Sequence, residues 1–309
     1  MDNPLTENRK YLDPAIVSKL NSLELKARLV VEGFIVGLHK SPYHGFSAEF
    51  SEHRPYMQGD NLKSVDWKVY GKTERYFIKQ FEEETNLKSY ILLDTSKSMS
   101  FASQGNIRKL DYGLILTASL SYLMLKQQDA VGISLYSESI NQYLPPKATR
   151  TYLHEILKIL IKAGEPSSEE ADLPGTKTAD CLDEIAEKIN RRGLVIVISD
   201  FFDEINSVIK ALKHFRYKKN EVIIFQILDP LERSFAFGKD AVFKDMETKE
   251  ELSTQPYQIQ KSYREAMNEF INKIKTECRN SNIEYNLIET SSPFDKALLS
   301  YIQKRKKLY

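Results

Sequence analysis

The residues best equipped for chemistry lie between Ser89 and Ser100, in the stretch SYILLDTSKSMS. An apolar run, Tyr90-Ile91-Leu92-Leu93, stops at Asp94, and hydroxyls follow at Ser96 and Ser98. This D-x-S-x-S arrangement sets three oxygen donors on alternate residues of one tight loop. Carboxylate, hydroxyl and water oxygens are what a small hard cation selects. A second acid, Asp200, closes another apolar run, Leu194-Val195-Ile196-Val197-Ile198-Ser199. A third segment, Pro174-Gly175-Thr176-Lys177-Thr178, opens a predicted helix, where glycine gives backbone freedom and a hydroxyl gives a donor. Oxygens of Asp94, Ser96, Ser98, Thr176 and Asp200 can therefore converge. A chain filling only part of an octahedral shell leaves the rest to water or an outside ligand. Each residue also has an ordinary structural use. The threonines can cap a helix, the serines can occupy turns, and Asp200 can cap a helix starting near Glu204. The set favours a metal, because three separate loops bring oxygen donors to one sheet edge.

Those loops meet only if the elements between them wind correctly. From about residue 86 the pattern alternates. Strands are predicted at 89–94, 130–137, 140–144, 193–199, 221–228 and 283–288, and helices at 107–128, 149–163, 178–191, 204–216, 257–280 and 293–306. Such alternation implies an α/β fold, a doubly wound, mostly parallel sheet with helices on both faces. The first, fourth and fifth strands are continuous apolar runs, as expected of strands buried on both sides. Close joining around Glu138-Ser139 makes 130–137 and 140–144 an antiparallel edge hairpin. With the first strand at the reversal point and the fourth beside it, Asp94 and Asp200 emerge together in the crevice where such sheets bind ligands. Residues 235–255 read as a small inserted β-hairpin.

The division expected is 1–85, an N-terminal region, and 86–309, the α/β domain. The first region holds His39, His44 and His53, the single tryptophan and many turn residues. It carries one predicted helix, Asp13 to about Val31, and a short strand within Tyr76–Phe81. Its few apolar clusters cannot build a large core, so it should pack on the second region. Its histidine spacings do not suit zinc. Arg54, Asp60, Asp66 and Trp67 are expected to form a buried ion-pair and aromatic platform, with a partner surface as the alternative.

Composition excludes several classes. Forty-four basic residues against 43 acidic give a formal charge of +1, without the basic surplus typical of nucleic-acid binders. The cluster Lys304-Arg305-Lys306-Lys307 is read as a solvated helix end, where cations suit the dipole. Cys181 and Cys278 are far apart, give no disulfide framework or zinc spacing, and fit buried helix positions. The polar N-terminus is not a secretory signal, and the longest apolar stretch, Leu114–Leu125, is broken by Thr117, Ser119 and Ser121. No membrane span is expected, and the reading is cytoplasmic.

The D-x-S-x-S motif at 94–98, the Gly175-Thr176 loop and the Ser199-Asp200 pair resemble the metal-ion-dependent adhesion site of von Willebrand factor type A domains. The resemblance implies that Ser96 and Ser98 bind Mg²⁺ (or Mn²⁺) directly, Thr176 directly or through water, and Asp94 and Asp200 mostly through water. An acidic residue of a partner completes the shell in that family. Thr178 is the alternative to Thr176, which is preferred because Leu182 then follows at the usual offset. Leu12-Asp13-Pro14, Glu32-Gly33, Gly37-Leu38-His39-Lys40-Ser41-Pro42, Glu49-Phe50, His53-Arg54-Pro55-Tyr56, Gly59-Asp60, Val65-Asp66-Trp67, Phe81-Glu82-Glu83-Glu84 and Phe243-Lys244-Asp245 resemble the bacterial and archaeal domain of unknown function number fifty-eight. A departure is Asn61, where an acid is common. Members of that family carry a von Willebrand A-like half and are commonly encoded beside MoxR-type AAA+ ATPases.

The resemblance implies an interaction module: a metal with an open position captures an Asp or Glu of another protein, in assembly, maturation or remodelling alongside a MoxR-type ATPase. The competing reading is a metal-dependent phosphatase or phosphotransferase with Asp94 as nucleophile. Haloacid-dehalogenase-like enzymes place a second acid two residues on, where this chain has Ser96, so no enzyme is expected. Nucleic-acid binding through Arg216-Tyr217-Lys218-Lys219 and the C-terminal cluster ranks last.

Overall fold

The computed structural model describes residues 13–39, 53–56, 67–79, 87–149, 151–165, 177–189, 192–237, 241–244, 251–254 and 256–307. In chain order the elements are α1 (Pro14–Val17), α2 (Leu23–His39), β1 (His53–Pro55), α3 (Trp67–Thr73), β2 (Phe77–Lys79), β3 (Lys88–Asp94), a 3₁₀ turn (Lys97–Ser100), α4 (Lys109–Lys126), β4 (Ala130–Tyr136), β5 (Ile140–Lys147), α5 (Tyr152–Gly164), α6 (Thr178–Lys188), β6 (Leu194–Ser199), α7 (Ile205–Tyr217), β7 (Glu221–Leu228), α8 (Pro230–Ser234), β8 (Ala241–Lys244), β9 (Glu251–Thr254), α9 (Pro256–Asn280), β10 (Glu284–Glu289) and α10 (Asp295–Lys307).

Six strands form the central sheet in the order β10-β7-β6-β3-β4-β5. All neighbours are parallel except β4 and β5, which pair antiparallel at one edge. The chain leaves β3 for β4 and β5 on one side, then returns to β6, β7 and β10 on the other. The reversal therefore falls between β3 and β6, as the sequence predicts for this doubly wound sheet. Alternation along the strands explains why they read as unbroken apolar runs. Ile91, Leu93, Ile196, Ile198, Phe225 and Ile227 enter one core, while Tyr90, Leu92, Val195, Val197, Val222 and Ile224 enter the other. Each fully buried Leu, Ile or Val contributes about 1.5–3 kcal/mol, so both faces must be covered by helices.

One face is covered by α4, α5 and α10, the other by α6, α7 and α9. α4 is buried on nearly every side, from Leu110 through Leu125. The sheet lies on one side, and α2 packs across it on another, adding Ala27, Val30, Val31 and Phe34 to the same core. Gly113 lets α4 approach the sheet closely: a Cβ there would stand 2.7 Å from Leu93 Cδ1. That approach fixes the start of α4 beside the end of β3. No described helix is long and apolar enough to cross a membrane.

Three sequence expectations need correction. The single helix over 13–31 is two helices, and the second runs on to His39. Asp13 caps α1, taking the Ala15 amide at 2.8 Å, and the Ser22 carbonyl receives the Lys26 amide at 3.0 Å to begin α2. Local capping outweighs an apolar spacing that continues across the break. Trp67 is not buried: it is 59% exposed, edge-on to Tyr70, which stacks on Tyr76 at 4.5 Å. A seven-residue helix beside the two three-residue strands β1 and β2 offers no face wide enough to bury an indole. Arg54 lies in β1, while Asp60 and Asp66 lie outside the described residues. Two of the C-terminal cations, Lys304 and Arg305, are tethered rather than simply solvated. Arg305 Nε meets Asp129 Oδ2 at 2.8 Å, and Lys304 Nζ meets Glu221 Oε2 at 2.8 Å.

Candidate functional site

Parallel strands β3 and β6 run in register, Leu93 opposite Ile198, so Asp94 and Ser199 end side by side with Asp200 one residue beyond. The Asp94 carboxylate is buried, and its oxygens have separate tasks. Oδ1 accepts the Ser96 amide at 2.8 Å, closing the loop on itself. Oδ2 accepts the Ser199 hydroxyl at 2.6 Å, bonding the first strand end to the fourth. Thr95 anchors the same loop to β4 through its amide and hydroxyl, both donated to the Tyr136 carbonyl at 2.8 and 2.9 Å. Met99 is buried under the 3₁₀ turn. This leaves the Ser96 and Ser98 hydroxyls facing each other at 3.0 Å.

The loop after β6 is equally constrained. Phe201 adopts a left-handed φ of +60°, which a non-glycine residue holds only where its surroundings impose it. Its amide donates to the Ser199 hydroxyl at 2.8 Å, and its ring is buried. The next amide, of Phe202, donates to Asp200 Oδ1 at 3.1 Å. Gln226 on β7 holds the Asp200 carbonyl at 2.9 Å. Asp203, three residues beyond Asp200, takes the Thr178 amide at 2.9 Å and so ties α6 to this loop.

Asp200 also carries an ion pair. Lys109, the first residue of α4 and wholly buried, places Nζ 2.8 Å from Asp200 Oδ2 and 2.6 Å from Glu232 Oε1. Glu232 belongs to the capping box of α8, in which Asp229 in turn accepts the Ser103 amide at 2.9 Å. The Phe202 ring, partly exposed at the rim, covers the ammonium at 4.9 Å.

Electrostatics follow from this packing. Burial, and then the charge of Asp200, push the Asp94 carboxyl up to about 7, against the Ser199 hydroxyl and the Ser96 amide that pull it down. Burial works against the Lys109 ammonium, but Asp200 and Glu232 outweigh it and leave its pKa above the ordinary lysine value. Burial likewise raises the Glu232 carboxyl while the Lys109 charge draws it back. Two carboxylates, of Asp200 and Glu232, thus share one buried ammonium, and Asp94 stands beside Asp200 without a cation of its own. The Tyr136 hydroxyl, buried near Asp94, finds no hydrogen-bond partner among the described residues, and burial first, then Asp94, raises its pKa.

Of the five oxygens expected from the sequence, those of Asp94, Ser96, Ser98 and Asp200 gather at this one edge. Thr176 lies outside the described residues, and its alternative Thr178 opens α6 as a buried residue. The donor set suits a small divalent ion. Two hydroxyls 3.0 Å apart have the separation of neighbouring ligands in an octahedral shell at about 2.1 Å. Among the described residues no cluster of three His, Cys, Asp or Glu side chains could hold a metal, so an ion at this edge would depend on the hydroxyls. Sequence reading passed over Lys109 and Glu232. A lysine opening an apolar helix was a signal, because cations are disfavoured at helix N-termini. The Asp229-Pro230-Leu231-Glu232 capping pattern was another.

A family profile described as "Protein of unknown function DUF58" matches residues 52–273. The uncharacterized protein Rv1480 of Mycobacterium tuberculosis (strain ATCC 25618 / H37Rv) is 25% identical over 239 residues, covering 76% of this chain and 72% of that protein. Among solved structures, the conserved hypothetical protein BatB from Bacteroides thetaiotaomicron is similar, with a TM-score of 0.46 and 17% identity, covering 72% of this chain and 99% of that one. An aerotolerance-related membrane protein from Bacteroides fragilis NCTC 9343 has a TM-score of 0.45 and 19% identity, covering 71% and 99%.

Proposed function

This chain belongs to the DUF58 family, and we propose that it is a protein-interaction module whose grip on its partner depends on a divalent metal, Mg²⁺ or Mn²⁺. The observation that carries the reading is the paired hydroxyls of Ser96 and Ser98, 3.0 Å apart at the sheet edge where Asp94 and Asp200 emerge. On the resemblance, Ser96 and Ser98 would hold the ion directly and Asp94 and Asp200 through water, with Thr176 the expected further oxygen. A bound Mg²⁺ supplies a hard cation with an open position for a partner's Asp or Glu carboxylate. The protein's own part is to keep the donors still. Ser199 and the Ser96 amide lock Asp94, Phe202 and Lys109 lock Asp200, and Thr95 pins the serine loop to β4.

The module has a binding role and no catalytic one. Asp94 is poorly placed as a nucleophile, since it is buried with both oxygens engaged, and Ser96 stands where a general acid would be needed. The partner class is a MoxR-type AAA+ ATPase together with a target complex undergoing assembly, maturation or remodelling in the cytoplasm. The sequence resemblance supports this part of the reading. Immobilised protein should retain a MoxR-type ATPase of its host, or the target co-purifying from the host, in Mg²⁺ and release it in EDTA. Retention unchanged by EDTA, or by the Ser96→Ala/Ser98→Ala pair, would refute the adhesion mechanism.

A further inference from the structure

Lys109 is an expensive residue to keep where it is. Its side chain is wholly buried at the first turn of α4, where the helix's own partial positive charge disfavours a cation. A buried ammonium is tolerated only when paired, and its pairing here is divided. One carboxylate, Asp200, belongs to the candidate metal crevice, and the other, Glu232, stands behind it on α8. Both Asp200 oxygens are already engaged, Oδ1 by the Phe202 amide and Oδ2 by Lys109. The Phe202 ring screens the ammonium from solvent, so its field is spent inside the protein.

Resting on the adhesion-site reading, we infer that Lys109 is the internal counter-ion of that site: it holds Asp200 in place without a divalent ion and sets how tightly the ion is held. Its positive charge opposes the incoming cation across the width of one carboxylate, and Glu232 offsets part of that opposition. Lys109 and Glu232 therefore act on metal affinity in opposite directions, although they are partners in one ion pair. A purely structural pair behaves otherwise, because removal of either member distorts the crevice and weakens binding.

The sign difference is the test. Mg²⁺ binding is titrated calorimetrically at pH 8 on the full chain, with folding checked by circular dichroism, for wild type, Ser96→Ala/Ser98→Ala, Lys109→Met, Glu232→Gln and the double variant Lys109→Met/Glu232→Gln. Lys109→Met should bind Mg²⁺ about tenfold more tightly and Glu232→Gln several-fold more weakly, while the double variant returns close to wild type. Weaker binding in both single variants overturns the inference. If Lys109→Met does not fold, Glu232→Gln decides alone, because unchanged or tighter binding there overturns it. Failure of wild type to bind Mg²⁺ at all overturns the adhesion-site reading itself, an outcome distinct from the others.

Discussion

The double substitution Ser96→Ala/Ser98→Ala separates the metal reading from a merely structural one, because the structure sets its two consequences far apart. The hydroxyls bond each other at 3.0 Å, while the loop is held by contacts that use neither. These are the Ser96 amide on Asp94, Thr95 on the Tyr136 carbonyl and the buried Met99. Removing both partners of one neutral hydrogen bond costs at most about 1 kcal/mol. For a chain of this size that is a fall in Tm of about 1–2 °C. The metal's contribution is larger. An ion that binds only the folded state at about 100 times its Kd adds roughly 2.7 kcal/mol, or about 4 °C. Differential scanning fluorimetry in EDTA and in saturating Mg²⁺ reads both quantities. Wild type should gain several degrees from Mg²⁺, and the variant, slightly less stable in EDTA, should gain none. A variant that keeps the full Mg²⁺ gain would show that the ion sits elsewhere and that the serine pair is only a turn.

Other expectations concern the frame around that loop. Ser199→Ala removes the donor to Asp94 Oδ2 and the acceptor of the Phe201 amide. With Asp94 left buried, urea unfolding should show a loss of about 2–4 kcal/mol. Arg305→Ala strips the partner from Asp129, whose side chain is fully buried while the arginine is 23% exposed. Allowing for that exposure and for the remaining Tyr301 contact, a loss of about 2–3 kcal/mol is expected in the same assay. Glu204 caps α7, accepting the Asn206 and Ser207 amides, and its carboxyl is lowered to about 2 by the Ser207 and Asn206 bonds. A folded pKa below the unfolded value gives stabilisation that is complete above about pH 4.5 and lost as pH falls toward 2. Wild type should therefore exceed Glu204→Gln in stability at pH 6, with the difference closing by pH 2; a difference constant across that range would count against the cap.

The sheet was legible in the sequence because its strands are buried on both sides. Leu194–Ile198 and Val222–Leu228 contain almost nothing but apolar residues, and no described helix is apolar through its whole length. Asp94 and Asp200 were legible because each ends such a run. The division of the N-terminal helix was not, since apolar spacing runs through Ser18–Ser22 while short-range caps decide the break. Trp67 misled for a different reason: an aromatic residue among charges suggests burial, but burial needs a surface to lie against. Lys109 was hardest to read. Its partners lie 91 and 123 positions away, and only the fold brings them together.

The sheathing of α4 bears on how this protein can be divided. α2 covers part of what the sheet and α5 leave bare, so the α/β half cut free at residue 86 would present an apolar strip of α4 to water. Such a fragment would clump or recruit chaperones before any surface of interest could be assayed. Truncated forms should therefore retain α2, and a binding defect seen in a shorter piece says nothing about the crevice.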